Sequence, residues 1–289
     1  MTGFATADAI SSWYAEAARD LPWRAPDRTP WGVLVSEMML QQTPVARVLP
    51  VWRAWMDRWP TPAALAGAAA GDAVRAWGRL GYPRRALRLH ACAVAIRDDH
   101  AGAVPPSYDD LRALPGIGDY TAAAVAAFAH GAAVAVLDTN VRRVYARLFD
   151  GAAAPRSASP TVGERQAAAA RLPSSDPAGY SVAVMELGAT VCTARAPRCD
   201  DCPVRRDCRW LAAGRPAADV VRPEQRYEGT DRQARGRLLA VLRDSPDAVP
   251  QESIDAAWPD DAQRRRALHG LITDGLVEPN GNGGYRLPA

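Results

Sequence analysis

Lysine is absent from this 289-residue sequence, and all 35 of its basic residues are arginine. The abundance of alanine suggests that a bias in genome composition produced this usage. Whatever its origin, the absence excludes any catalysis that needs a lysine amine, including a lysine Schiff base. The net charge of +3 is compatible with nucleic-acid binding but does not establish it.

Long apolar runs are also missing. No window approaches eighteen uninterrupted apolar residues, so we expect no membrane span. The N-terminal stretch lacks the basic start and apolar core of a signal peptide. We therefore expect a cytoplasmic protein. Since disulfides are rare in the cytosol, clustered cysteines are better interpreted there as metal ligands.

Helical periodicity dominates residues 5–212, where apolar residues recur at three- and four-residue spacing between proline and glycine breaks. Alternating strand patterns are scarce, so this part is predicted to be all-α. The clearest predicted helices are 30–42, 44–58, 70–79, 84–98, 119–129 and 138–149. We assign residues 1–213 to one domain.

The C-terminal part has a different pattern. Residues 214–228 combine prolines and arginines with little periodicity and are predicted to be a linker. Residues 229–289 are predicted to form a small α+β domain that resembles a winged helix. Its predicted helices are 231–243, 251–257 and 260–274, followed by a hairpin around an Asn/Gly-rich turn. Nine arginines and ten acidic residues occur in 226–289, so charge does not favour DNA binding, and a protein contact or packing role is at least as plausible.

Four of the five cysteines lie within seventeen residues with the spacing C-x6-C-x2-C-x5-C. They are Cys192, Cys199, Cys202 and Cys208. Four thiolates can hold a zinc ion or a [4Fe–4S] cluster, and the residues alone leave both open. The fifth, Cys92, lies in an apolar helix pattern and is predicted to pack in the core. Arg195 and Arg198 lie between the clustered cysteines, where a metal-pinned loop would suit contact with phosphate.

The segment LPGIG at residues 114–118 is a glycine-bearing turn that opens directly into a predicted helix. Gly116 and Gly118 allow close approach of another backbone, and a helix start offers N–H groups to an anion. A hairpin of this kind, anchored by Leu114, can bind a DNA phosphate without reading sequence. The turn is common by itself, so its weight comes from the neighbouring motifs.

Two carboxylates occupy contrasting positions. Glu37 lies in an apolar helix pattern, where burial should raise its pKa, as a general acid at neutral pH requires. Asp138 opens a helix, where it can be a simple N-cap or an ionised carboxylate that stabilises a developing cation. Two carboxylates in different protonation states are typical of glycosidic bond cleavage.

These motifs, in this order, resemble the helix-hairpin-helix DNA glycosylases that carry an iron–sulfur cluster, and within them the adenine-specific mismatch glycosylases of the MutY type. The resemblance covers roughly residues 10–212 and is carried by LPWR, SEMMLQQT, LGYPRRA, LPGIGDYTA, LDTNV, MELGATVC and the cysteine spacing. It implies a two-lobed all-α core, a [4Fe–4S] cluster on the loop 192–208 and double-stranded DNA as partner. It also implies removal of adenine mispaired with 8-oxoguanine or guanine.

The resemblance assigns roles as well. Glu37 matches the catalytic acid and Asp138 the carboxylate that stabilises the sugar cation, while Asn140 and Tyr120 match residues that orient the intermediate and that carboxylate. The positions matched to the adenine pocket are Arg19, Trp23 and Glu186. Those matched to the base stack beside the lesion are Gln42 and Tyr82, with Gln41 and Thr43 alongside. The endonuclease III branch has a lysine nucleophile where this chain has Tyr120, so a monofunctional glycosylase is expected.

Two departures from the family pattern stand out. Typical members carry a C-terminal domain related to nucleotide-pyrophosphate hydrolases that recognises 8-oxoguanine, whereas 229–289 resembles a winged helix. Pro83 stands where an aromatic residue is common.

The alternative functions are a thymine or uracil mismatch glycosylase, a non-catalytic iron–sulfur DNA-binding protein and a helical zinc-ribbon protein. Glu37 followed by Gln41, Gln42 and Thr43 favours adenine, which must be protonated to leave. A monomer is expected, with the C-terminal unit available for a protein contact.

Overall fold

The computed structural model describes residues 3–217 and 227–289 of the chain, with the side chains of residues 3 and 4 left aside. Most of the predicted linker at 214–228 therefore lies outside the described residues. Up to residue 217 every regular element described is helical, which confirms the all-α prediction. In the described part of the chain, no helix is both long and apolar enough to cross a membrane.

The helices are α1 Gly3–Ala17, α2 Pro30–Leu40, α3 Val45–Arg58, α4 Pro62–Ala66, α5 Ala70–Trp77, α6 Arg84–Asp99, α7 Tyr108–Ala113, α8 Asp119–His130, α9 Thr139–Phe149, α10 Val162–Ala169, α11 Pro177–Thr190, α12 Arg209–Ala212, α13 Asp231–Asp244, α14 Gln251–Ala257 and α15 Asp261–Thr273. Short 3-10 helices are Pro22–Arg24, Cys199–Asp201 and Arg205–Asp207. The strands are β1 Val249–Pro250, β2 Glu278–Pro279 and β3 Gly284–Arg286.

The predicted helices are present with their ends shifted by at most two residues. The shifts have local causes in the backbone. Helix α5 ends at Trp77 because Gly78 turns the chain at φ 56°, and α2 ends two residues before Gln42, which has φ 58°. Such left-handed φ values are incompatible with continued helix.

The C-terminal helices and the hairpin are also confirmed. Strand β3 pairs antiparallel with β2 across the Asn/Gly-rich turn, and it also pairs with β1, so the strand order is β1-β3-β2. The sequence did not predict β1, because a two-residue strand is too short to show an alternating pattern.

Contacts between Cα atoms divide the chain into two units, with the division falling inside α2 and α7. The described residues of the first unit are 3–33, 106–112 and 117–217. Its core lies where α1, α9 and α11 pack together around Ile10, Val144 and Leu187. Helix α8 packs against α11 and is buried over most of its length, since its alanines allow close approach of neighbouring backbones.

The second unit comprises residues 34–105, 113–116 and 227–289 among those described. Trp55 is central to its core and packs edge-on against Trp59 at 4.9 Å and Trp77 at 5.7 Å between ring centroids. Helix α6 packs against α4 and α5, and α13 packs against both α15 and α5. The C-terminal helices thus share a compact unit with α3–α6.

Candidate active site

Asp138 is held at the start of α9 by two hydrogen bonds. Its Oδ1 accepts from the backbone N–H of Val141 at 2.6 Å, and its Oδ2 accepts from Nδ2 of Asn140 at 2.8 Å. Burial raises the pKa of Asp138 above its ordinary value, while both donors and the nearby charge of Arg143 act in the opposite direction. The N-cap geometry predicted from the sequence is therefore present, in a setting where ionisation of the carboxyl is opposed by burial.

Arg143 connects the Asp138 network to the cysteine loop. Its Nη2 donates to Oδ1 of Asn140 at 2.8 Å and to the carbonyl of Gly188 at 2.6 Å. Its Nε donates to the carbonyl of Cys192 at 2.8 Å. Glycine is required at 188, because a Cβ there would lie 2.8 Å from Cβ of Asn140. Arg143 was not predicted from the sequence, because its acceptors at Gly188 and Cys192 lie more than forty positions away.

Glu186 on α11 is fully buried and is bound by two arginines. Arg19 donates from Nε to Oε1 at 2.5 Å and from Nη2 to Oε2 at 2.7 Å, and Arg24 donates to Oε2 at 2.8 Å. Burial by itself would raise the pKa of Glu186, but the two guanidinium groups outweigh it and hold the pKa below its ordinary value. Trp23, also buried, lies between them in sequence.

The ion pairs bring residues 19–24, which include Trp23, next to Glu186 on α11. Arg24 is a further residue of this site that was not predicted from the sequence, although it ends the motif LPWR. Because Glu186 is fully buried, removing the carboxylate would leave both guanidinium groups without their acidic partner.

Glu37 lies on α2 and is 5% exposed, so the burial expected from its apolar surroundings is present. Its neighbours Met38 and Met39 are fully buried. Tyr120 is half-buried near the start of α8 and packs against the cluster around Val33 and Ala124 in the first unit. Each of these two candidate residues therefore lies on a helix and is at least partly shielded from solvent.

Gln42 and Tyr82, which we call the wedge pair, are joined by a hydrogen bond of 2.6 Å from the phenol to Oε1 of Gln42. Both have left-handed backbones, with φ 58° and 48°, and Tyr82 is 50% exposed. Thr43 donates through Oγ1 to the carbonyl of Leu80 at 3.2 Å. Arg85 stacks over the ring of Tyr82 at 4.4 Å and donates to the carbonyl of Gln41. Left-handed non-glycine residues carry strain and concentrate at functional sites.

The predicted hairpin is formed by α7, residues 114–118 and α8. Leu114 and Ile117 are buried and anchor the turn, whereas Gly116 and Gly118 are exposed. Gly116 has φ 78°, and a Cβ there would lie 2.6 Å from Cβ of Arg88. At the start of α8, Asp119 pairs with Arg112 at 2.6 Å.

Three of the four clustered cysteines lie against the first unit's core. Cys192, Cys202 and Cys208 pack against that core with Val191 and Val204. Burial, with a smaller contribution from the charges of the other three clustered cysteines, raises the pKa of Cys202 to about 11. The other three thiols are therefore near enough to act on Cys202 electrostatically, and a cationic centre beside them would relieve that repulsion. No group of three or more metal-binding side chains among the described residues is arranged for a single metal ion.

Arg147 binds the same loop from α9. Its Nη1 donates to Sγ of Cys192 at 3.4 Å and to the carbonyl of Thr193 at 2.7 Å, and its guanidinium stacks over Trp210 at 4.4 Å. The side chain of Arg147 is buried. The sequence pattern did not predict this burial, because it did not distinguish Arg147 from surface arginines. The loop arginines Arg195 and Arg198 are exposed, and Arg198 pairs with Asp201 at 3.4 Å.

Comparison with known proteins identifies the family of the chain. Residues 35–160 match the family described as HhH-GPD superfamily base excision DNA repair protein. The chain is 55% identical to adenine DNA glycosylase of Mycolicibacterium smegmatis over 96% of this chain and 94% of that protein. The chain belongs to the adenine DNA glycosylase family. As a member of that family it is a base-excision repair enzyme, a hydrolase of N-glycosidic bonds.

Solved structures share the fold of this chain. A thermostable thymine-DNA glycosylase matches with a TM-score of 0.66 at 23% identity, covering 73% of this chain and 97% of that one. A non-covalent endonuclease III–DNA complex matches with a TM-score of 0.62 at 21% identity, covering 74% and 98%. Because glycosylases for different bases share it, the fold by itself does not determine the substrate.

Proposed function

We propose that this enzyme excises adenine mispaired with 8-oxoguanine or guanine by hydrolysis and leaves the DNA strand intact. The observation that carries the proposal is the contrast between two carboxyl groups. Glu37 is 5% exposed on a helix of apolar residues, and Asp138 accepts hydrogen bonds on both of its oxygens. The first environment suits a proton donor. In the second, the hydrogen bonds favour the carboxylate form against the burial that raises the pKa of Asp138, so that this group can face a cation as an anion.

The reaction begins with extrusion of the adenine, since its glycosidic bond cannot be reached inside the duplex. Glu37 donates a proton to the base, the bond between C1′ and the base nitrogen breaks, and the electron pair leaves with neutral adenine. The carboxylate of Asp138 stabilises the sugar cation. Water then adds its oxygen to C1′ and gives up a proton, which restores the acid.

Positioning follows from the surrounding network. Asn140 fixes one oxygen of Asp138, and Arg143 fixes Asn140, so the carboxylate is preorganised before the cation forms. Tyr120, near the start of α8, is proposed to orient the intermediate. Arg19, Trp23 and Glu186 are proposed to line the adenine pocket, where the paired arginine and glutamate present fixed polar groups.

Binding of double-stranded DNA is proposed to involve three surfaces. A fold relative was solved bound to DNA, which supports DNA as the partner. The exposed hairpin glycines Gly116 and Gly118, next to Leu114, offer backbone N–H groups to a phosphate. The wedge pair is proposed to enter the base stack beside the lesion, with Gln41 and Thr43 alongside. We place this activity on DNA in the cytoplasm and expect a monomer.

The residues of the loop fit a [4Fe–4S] cluster. Cys192, Cys199, Cys202 and Cys208 are proposed as its ligands, because their spacing is that of the family's cluster and three of them pack against the same core. When bound, the cluster supplies no step of the hydrolysis and pins the loop that presents Arg195 and Arg198. Those exposed arginines are proposed to contact the DNA backbone.

The deciding test is single-turnover excision on duplexes with adenine opposite 8-oxoguanine, guanine or thymine, with thymine and uracil opposite guanine as controls. We expect adenine release, and strand breaks only after alkali treatment, because no lysine is present for imine chemistry. Glu37→Gln should abolish release while retaining duplex binding. Release of pyrimidines alone would contradict the proposed substrate, and binding without any release would indicate a non-catalytic protein.

A further inference from the structure

The C-terminal helices are docked on α5 by reciprocal arginine contacts. Arg75 donates to the carbonyls of Arg243 at 3.2 Å and Ser245 at 3.0 Å, and Arg243 donates to the carbonyl of Val74 at 3.1 Å. Burial lowers the pKa of Arg243 to about 10. Each arginine thus satisfies carbonyls at the end of the opposite helix, where helices leave such groups without intrahelical partners.

The end of the chain docks on the same helix. The backbone N–H of Gly71 donates to the carbonyl of Pro288 at 2.7 Å. A Cβ at position 71 would lie 2.5 Å from that oxygen, so only glycine allows the approach. Residues near the C-terminus are therefore an integral part of the second unit.

A third contact reaches the wedge pair. Asp274, directly after α15, forms an ion pair with Arg84 at 3.2 Å and another with Arg235. Arg84 is the first residue of α6 and follows Tyr82 and Pro83 directly. A carboxylate at the end of a helix is unfavourable by itself because it faces the negative end of the helix dipole. Its two arginine partners offset this cost, and the pair with Arg84, whose side chain is about half exposed, links Asp274 to the first residue of α6.

The first turn of α6 is consequently held by its neighbours on two sides. Asp274 binds Arg84, while the next residue, Arg85, stacks over Tyr82 and donates to the carbonyl of Gln41. The contacts form an unbroken series from the C-terminal unit to the wedge pair. Displacement at Asp274 would therefore be transmitted to the strained backbone at Tyr82.

We infer that the C-terminal unit positions the wedge pair through Asp274 and thereby sets the enzyme's preference for the base opposite adenine. The inference rests on the proposed function, in which the wedge pair enters the stack beside that base. Asp274 is a positioning residue here, because it acts through Arg84. It makes residues 227–289 part of lesion recognition without any direct contact of α15 with DNA, which agrees with the balanced charge of this unit.

The test compares Asp274→Asn with wild-type enzyme in single-turnover excision of adenine opposite 8-oxoguanine and opposite guanine. We expect the rate constant opposite 8-oxoguanine, divided by the rate constant opposite guanine, to fall at least about fivefold. The reason is that the variant weakens transition-state contacts made only on the 8-oxoguanine duplex. Fluorescence of 2-aminopurine placed next to the opposite base should also change in the bound duplex. Asp261→Asn, which removes an exposed ion-paired carboxylate from the other end of α15, is the matched control and should leave both readouts unchanged.

An unchanged ratio and unchanged fluorescence for Asp274→Asn would overturn the inference while leaving the proposed function intact. If wild-type enzyme releases no adenine from either duplex, the proposed function fails first. Arg84→Gln breaks the same contact from the other side, so it decides the matter should Asp274→Asn fail to fold. If Asp274 acts through Arg84, the double variant should show a ratio no lower than that of either single variant.

Discussion

Tyr82 donates its phenolic proton to Gln42, forty positions earlier in the chain, although both residues occupy left-handed backbone conformations. Two strained residues that meet at an exposed point are hard to explain by stability, because each costs about 1–3 kcal/mol. The pair is more readily understood as a preformed element whose geometry is needed when DNA binds. The hydrogen bond also defines which rotamers the two side chains present.

We expect Gln42→Gly to stabilise the protein by about 1 kcal/mol, because glycine adopts a positive φ without strain. The same change should slow single-turnover adenine excision, since the side chain that enters the stack is lost. Ala101→Gly is a matched control: Ala101 has φ 51° and lies outside the candidate site. It should raise the melting temperature and leave excision unchanged. Equal excision rates for the two variants would argue against a role for Gln42 in DNA.

Asp138→Asn should abolish adenine release and change the pH dependence of stability. The raised pKa of Asp138 means that the folded state binds its proton more tightly than the unfolded state does. Below pH 3.8, the ordinary pKa, Asp138 is protonated in both states and does not lower the free energy of unfolding. Above the folded-state pKa it is ionised in both states, and burial of the charge lowers the free energy of unfolding by its full amount. Wild type should lose stability relative to Asp138→Asn as pH rises through that window. Denaturant unfolding of both proteins across the acid range measures the difference, and parallel curves would contradict it.

Glu186→Gln should destabilise the enzyme by about 1–3 kcal/mol at neutral pH, because Arg24 loses its charged partner while Arg19 is exposed enough for water to compensate. The lowered pKa of Glu186 stabilises the fold above its ordinary value of 4.5, and this contribution disappears as pH falls through the folded pKa. The difference from wild type should shrink accordingly in acid.

Glu164→Gln provides the matched control for this variant. Glu164 pairs with the buried Arg142 at 2.8 Å and also has a lowered pKa, but it lies on α10, away from the proposed adenine pocket. Both variants should lose stability, and only Glu186→Gln should raise the KM for adenine-containing duplex. A similar KM for both would indicate that Glu186 has a structural role alone.

If the proposed cluster is present, the wild type should contain iron and be brown, Cys199→Ser should lose both properties and Cys92→Ala should retain them. Burial raises the pKa of Cys92 to about 12, so this thiol remains protonated at neutral pH. Iodoacetamide should accordingly label cluster cysteines after iron is chelated and leave Cys92 unmodified in the folded protein. Zinc in place of iron in the purified wild type would contradict the proposed cluster.

Local patterns made much of the fold predictable. Helical periodicity located α2, α3, α5, α6, α8 and α9 to within two residues, because each helix buries one or more faces built from nearby residues. The N-cap of Asp138 and the buried setting of Glu37 were also predictable, since both depend on neighbours in the same segment. Strand β1 was not predictable, because two residues are too few to show an alternation of apolar and polar side chains.

Long-range contacts account for what the sequence left open. Nothing in the spacing distinguished Arg143 and Arg147 from the other arginines, because their roles come from carbonyls near Cys192, more than forty positions away. The same holds for Arg24 beside Glu186. From the sequence, an arginine is known only to carry a positive charge. Its specific role depends on which hydrogen-bond acceptors the fold places around it.

By itself, the sequence determined the helical core, the exclusion of lysine chemistry, the convergence of four cysteines on one loop and the family of the enzyme. Those properties depend on residue type and local spacing. Only the tertiary structure decided that Gln42 meets Tyr82, that Glu186 is shared by two arginines and that Asp274 holds the start of α6. These contacts join residues distant in the chain, and their geometry arises from packing of whole helices.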